Sequence, residues 1–318
     1  MKKWLTNLLA LGIVAGLVYY VLGRWDELQG LLTVNVGCLA TVVGVSLVAN
    51  LVASKIMQEL LRALDVQPSL ADLWLIQNAG QLLNYLPMKA GTVLRANYLK
   101  RRYGFGYAQF GAFFVQGLLL MTASAAALGL GVLLAVYGLG ATPARILAIA
   151  LAGVLAGSLL ALLLPVRPPA GPGRIRRLLR SFLSARKALA GRWRTLGMCT
   201  VLALVSYALF AVRLAAVYHS MGVEVHPAGF LILGSLAGAI LFLSITPGSL
   251  GIRELVLGAS AMTLGVAPEV GVLAAMIERA IVLGFTVVVG GSCAGWLWHK
   301  YPADFHPPPP EADRPADA

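Results

Sequence analysis

Six apolar stretches fix the class of this chain before anything else does. They fall at 4–22, 31–53, 106–137, 144–165, 196–218 and 270–298. Each is close to or beyond the ~20 residues a helix needs to cross a hydrocarbon core. With 59% hydrophobic and 12% charged residues and a mean hydropathy of +0.81, the chain has too little polar surface to cover a soluble core of this size. The longest polar gap, 166–194, leaves no room for a soluble domain. The expected class is an all-α polytopic membrane protein.

Two further apolar segments are interrupted, and at matching places. Leu83-Asn84-Tyr85-Leu86-Pro87-Met88-Lys89-Ala90-Gly91 is echoed 160 positions later by Leu243-Ser244-Ile245-Thr246-Pro247-Gly248-Ser249-Leu250-Gly251. Each copy has Leu, then Pro, then Gly four residues on, with Arg95 or Arg253 soon after. The first segment runs 70–86 and resumes to about Arg102; the second runs 228–246 and resumes to about Val266. The resumed pieces are short for a span, which predicts re-entrant helical hairpins over about 70–102 and 228–266. Non-helical backbone at membrane depth is tolerated only inside protein or against a wet cavity. Eight full spans without hairpins is the competing arrangement.

Charge sets the orientation. Val166 to Arg194 carries nine Lys/Arg and no Asp/Glu, and Lys55 to Arg102 carries seven more. Loops so rich in cations are expected on the cytoplasmic side. With Lys2 and Lys3 inside, the count puts 20 of the 25 Lys/Arg in the cytoplasm and both termini with them. The halves 1–140 and 141–298 then each hold two spans, a hairpin and one span, in opposite orientation. Such an inverted repeat brings the two breaks together near the midplane, as in many transporters. The first stretch has a signal peptide's charge pattern but no A-x-A-like cleavage site, so a retained span is expected. Within the basic loop, Ile175, Leu178, Leu179, Phe182, Leu189 and Trp193 recur at roughly helical spacing. A surface helix on anionic lipid and an ordinary basic loop both fit. The tail 299–318, with Pro307 to Pro310, reads as disordered.

A helix restarting after a break offers free N–H groups and the positive end of its dipole to an anion. Pro87, Gly91, Pro247, Gly248 and Gly251 shape the two breaks; Lys89, Arg95 and Arg253 supply charge beside them. These eight are the expected binding residues for a phosphate-bearing headgroup. The plainer reading is that Pro and Gly permit close helix packing. Glu278 and Arg279 lie near the middle of the last stretch, where ionised groups are costly and face a cavity or a partner. Adjacent on a helix, they point about 100° apart and pair poorly with each other. Glu254 is the expected partner of Arg279, and Gln116 is the uncharged counterpart in the first half. These four are candidates for gating or coupling, or for a structural clamp. Arg213 and Arg145, near span ends, can snorkel and are assigned no role. Cys38, Cys199 and Cys293 fit no metal or haem spacing. His219 and His226 lack convergent acids, so no metal is expected.

Thr246-Pro247-Gly248-Ser249-Leu250-Gly251-Ile252-Arg253-Glu254 resembles the P-G-G-x-G-x-x-E signature of the flippase-like family, which includes the membrane region of lysylphosphatidylglycerol synthases and stand-alone relatives. Leu83 to Pro87, Gly91, Arg95 and Tyr98-Leu99-Lys100 resemble its earlier P-x-x-x-G-x-x-x-R-x-x-x-L motif. The resemblance covers nearly the whole chain. Ser249 replaces the usual second Gly, and Gln116-Gly117 stands where the family often has Glu-Arg followed by Asp. What the resemblance implies is lipid translocation in a bacterial inner membrane. The synthases' soluble aminoacyl-transferase domain finds no room in these 318 residues, so the resemblance does not imply lipid synthesis.

The expectation is therefore a lipid flippase or scramblase-like transporter for an anionic or sugar-phosphate lipid, polyprenyl phosphates included. No cofactor or catalytic residue is expected, because no nucleophile motif or P-loop occurs, and no nucleic-acid partner, because topology accounts for the basic charge. A non-catalytic accessory subunit of a lipid or surface-glycan pathway, docked on a membrane enzyme through the basic loop, is the alternative. A lipid-modifying enzyme is a more distant one.

Overall fold

The computed structural model describes residues 34–85, 90–163, 174–239 and 251–301. Among them the structure is helical, with no strand. In chain order the helices are α1 (Val36–Arg62), α2 (Leu70–Leu83), α3 (Ala90–Tyr103), α4 (Tyr107–Val132), α5 (Thr142–Leu163), α6 (Arg174–Ala190), α7 (Trp193–Ser220), α8 (Pro227–Ala239), α9 (Ile252–Ala261), α10 (Pro268–Phe285) and α11 (Gly291–Lys300). A wide π turn, Leu133–Tyr137, extends α4, and another, Thr286–Gly290, joins α10 to α11. Five units are long and apolar enough to cross a membrane: α1, α4 with its π turn, α5, α7, and α10 through α11. The protein is a multi-pass membrane protein. The expected span at 4–22 and the tail beyond 301 lie outside the described residues.

The helices begin where the sequence provides caps. Asn35 Oδ1 accepts from the Cys38 N–H at 2.7 Å, and Ser69 Oγ accepts from the Asp72 N–H at 3.1 Å. Such side chains satisfy donors that an isolated helix leaves open. One boundary differs from expectation. Hydropathy ends the second stretch at 53, but α1 continues to Arg62. Charge interrupts hydropathy there without interrupting the helix: Lys55 and Glu59 pair at 2.6 Å along the surface, while Ile56, Leu60 and Leu61 stay buried.

Two pairs of short helices, α2 with α3 and α8 with α9, pack within themselves and also into the opposite half. α8 lies along α4, while α2 lies along α11 and the π turn before it. Glycines set both crossings. A Cβ at Gly129 would come within 2.9 Å of the Ser235 Cβ, and one at Gly290 within 2.8 Å of the Asn78 carbonyl oxygen. Small residues at such points let helix backbones approach where lipid gives no hydrophobic drive. α1 and α7 pack along each other at the centre. Buried amides add to this: Asn50 Nδ2 donates to Asn78 Oδ1 at 2.6 Å, and Gln81 Nε2 donates to Asn50 Oδ1 at 2.9 Å, tying α1 to α2.

The basic segment is a helix, α6. It packs on α4, with Leu183 and Leu189 buried, and leaves Leu179 44% exposed. Arg186 donates to the carbonyls of Ala161 and Leu162, two of the last acceptors of α5. A cation there also meets the negative end of the α5 dipole. α5 itself is peripheral; Ile149 and Leu163 are 74% and 77% exposed, as a lipid-facing surface requires.

The closest crossing is inside the first pair, where a Cβ on Gly91 would land on the Gly80 carbonyl. Gly91→Ala is therefore expected to cost about 1–3 kcal/mol through overpacking. Gly44→Ala has nothing within 4 Å of the new methyl and is expected to be neutral or stabilising. Thermal unfolding of the two purified variants in one detergent checks this; equal melting temperatures would refute the close crossing.

Candidate functional site

Two charged dipeptides, one on α9 and one on α10, make the core of the site. α9 opens at Gly251, whose φ of +85° is strained for any residue with a Cβ. The Gly251 N–H donates to Glu254 Oε2 at 2.8 Å, so the first turn of α9 is closed by its own carboxylate. α9 and α10 then touch backbone to backbone: a Cβ on Gly271 would sit 2.9 Å from the Gly258 Cα. This separation lets charges near the other ends of the two helices interlock. Arg253 Nη2 donates to Glu278 Oε2 at 2.7 Å, and Arg279 donates to Glu254 Oε1. Each pair spans the two helices, and neither is formed within a dipeptide.

A third arginine joins them. Arg213, on α7, brings its Nε 3.3 Å from Glu278 Oε1 and donates from Nη1 to Ser46 Oγ at 3.1 Å. The guanidinium carbons of Arg213 and Arg253 lie 5.1 and 4.6 Å from the centre of the Phe210 ring. This corrects the snorkelling expectation for Arg213. Only 14% of its side chain is exposed, and it faces α1 and α10 rather than the membrane surface. A signal for it was present. Ser206, Phe210 and Arg213 recur every three or four residues on α7, as Ser46, Asn50 and Ser54 do on α1. A polar stripe on an apolar helix marks a face turned away from lipid.

These charges border a cavity of about 410 Å³. Arg213, Arg253 and Arg279 line it, together with Asn50, Gln81, Asn84 and Thr286. Tyr85, at the last described position before the first break, and Arg253, just after the second, both face it. The two interrupted segments thus converge on one space.

The other expected residues are distributed as follows. Lys89, Pro87, Pro247 and Gly248 lie outside the described residues. Gly91 and Gly251 shape the backbone, one under the Gly80 carbonyl and one capping α9. Arg95 is not among the cavity-lining residues; its guanidinium stem packs against Gly80 instead. Gln116 is buried in α4, away from the cavity wall. Glu254 and Glu278 are buried behind the arginines.

Removing one partner from a buried pair leaves an uncompensated charge, at a cost of about 3–5 kcal/mol. Glu278→Gln strands two guanidiniums and is expected to lose about that much. Adding Arg213→Met removes one of the stranded charges and is expected to recover part of the loss. A double-mutant cycle on thermal stability measures it; simple additivity would mean that Arg213 and Glu278 do not interact.

A sequence model of the family described as "Lysylphosphatidylglycerol synthase TM region" matches residues 7–290. No curated protein and no solved structure matches the chain. The match takes in both interrupted segments, both charged dipeptides and every helix lining the cavity: this chain belongs to the family of the lysylphosphatidylglycerol synthase transmembrane region.

Proposed function

We propose that the chain is a lipid flippase or scramblase-like transporter of a bacterial inner membrane, moving an anionic or sugar-phosphate lipid between leaflets. The observation that carries this is a cavity inside a membrane bundle whose charged wall consists of three arginines. Ionised groups at such depth are rare and belong to substrate or ion paths. Guanidinium groups match phosphate oxygens in charge and in the geometry of their fork. The headgroup would sit among Arg213, Arg253 and Arg279 while the tails stay in the bilayer. Lys89, with Pro87, Gly91, Pro247, Gly248 and Gly251 shaping the breaks, would complete the cradle. Glu254, Glu278 and Arg279 would gate the passage, because their pairs must loosen for the two helices to part.

The two short helix pairs are read as re-entrant hairpins and the halves as inverted repeats. Support comes from their exchange of packing partners: each pair's first helix rests on the last span of the other half. Both termini are placed in the cytoplasm from the charge count. Arg95 and Gln116 move to the periphery of this reading, and Arg213 enters it. No covalent chemistry is part of it.

Leaflet exchange of fluorescent phospholipids in liposomes tests the proposal. Wild type is expected to equilibrate an anionic lipid. Arg253→Gln, which weakens the phosphate cradle, is expected to slow exchange at least about tenfold, the equivalent of ~1.4 kcal/mol. Ala49→Trp, growing into the cavity from α1, is expected to do the same without altering any charge. Exchange unchanged in both folded variants would place the path elsewhere. No exchange by the wild type would favour the accessory-subunit alternative.

A further inference from the structure

The charges around the cavity are not balanced, and their placement is one-sided. Arg213, Arg253 and Arg279 face the space with 14%, 18% and 11% of their side chains exposed. The carboxylates that answer them, Glu278 and Glu254, are 1% and 4% exposed and do not line it. Among the described residues, three cations against two anions leave one positive charge, and it belongs to the Arg213–Glu278–Arg253 group. No other carboxylate lines the cavity among the described residues.

Several other polar groups on the wall are committed, although the buried Asn84 Oδ1 accepts no hydrogen bond among the described residues. Asn50 Oδ1 accepts from Gln81, and Ser46 Oγ accepts from Arg213. The Tyr207 hydroxyl is turned to the Met121 carbonyl at 2.7 Å. The Phe210 ring, whose face could attract an ammonium ion, already has two guanidinium groups beside it. An ammonium group entering here would meet three cations, with Asn84 Oδ1 as an open acceptor to set against them. A phosphodiester would instead supply the missing negative charge at a depth where an unmatched charge is expensive.

We infer that this cavity takes a headgroup of one net negative charge, a phosphodiester, and rejects headgroups that carry an ammonium group, aminoacylated phospholipids included. The inference rests on reading the cavity as the headgroup site. It makes the unpaired half of the Arg213–Arg253 charge the selective element.

The test uses the full-length protein in a neutral detergent and reads the rise in melting temperature on adding ligand, which reports binding to the folded state. The probes are phosphatidylglycerol, lysylphosphatidylglycerol, phosphatidylethanolamine and inorganic phosphate. Phosphatidylglycerol is expected to stabilise, with an apparent affinity at least about tenfold above either ammonium lipid. Ser46→Asp places a carboxylate beside Arg213 and cancels the excess charge; it is expected to abolish that preference, whereas Ser46→Ala retains it.

Equal stabilisation by all three lipids, or a preference for lysylphosphatidylglycerol, would overturn the inference. So would stabilisation by phosphate alone without phosphatidylglycerol, which would mark a site for a free anion. Should Ser46→Asp fail to fold, a wild-type preference that persists unchanged when Arg213→Gln removes the excess charge would overturn it as well. Binding is measured separately from leaflet exchange. Selective binding without exchange would therefore refute the transport reading and leave this one standing.

Discussion

A backbone that stops being helical inside a membrane must find partners in protein or water, because lipid offers none. That requirement governs the rest of this structure. The chain breaks two helices near matching Pro and Gly residues, so both breaks have to be walled in. The walls come from the opposite half: α4 for α8, and α11 with the π turn before it for α2. Glycines at 129 and 290 bring the walls close. The cavity is the space that remains where the two interrupted segments, enclosed in this way, approach α1 and α7.

The same requirement explains how charge survives at the centre. Glu254 serves two donors at once, the N–H of Gly251 that precedes its own helix and the arginine of the neighbouring one. The carboxylate of Glu254 thus also sits at the positive end of the α9 dipole. Glu278 is similarly shared between two arginines from different helices. α7, α9 and α10 are cross-linked by charge, and that linkage carries the arginines forward to the cavity surface while holding the carboxylates back.

Much of this could be read from the sequence, for identifiable reasons. Long apolar runs fix spans because their length is set by the bilayer. Pro87 and Pro247 mark breaks because Pro removes a donor and clashes with the preceding turn. Arg253-Glu254 and Glu278-Arg279 stand out because adjacent opposite charges on a helix cannot satisfy each other. Arg213 did not stand out, because its nearness to a span end masked the direction it faces. Direction follows from packing, and only the Ser206–Phe210 stripe hinted at it. Arg95 failed in the opposite sense. Its position after a break suggested a ligand, but the tight Gly80–Gly91 crossing directs its stem into the helix interface instead. The apolar stretch stops short of the end of α1 because charge ends a hydrophobic run without ending a helix, and a paired Lys55 and Glu59 continue one.

The Gly80–Gly91 crossing also limits how this region can move. Two helices whose main chains are in contact cannot scissor or slide past one another without steric collision. α2 and α3 are therefore a solid wedge. Any rearrangement that opens the cavity on that side must carry the wedge as a unit, and the Asn50–Asn78 and Gln81–Asn50 hydrogen bonds are the latches that would have to release it.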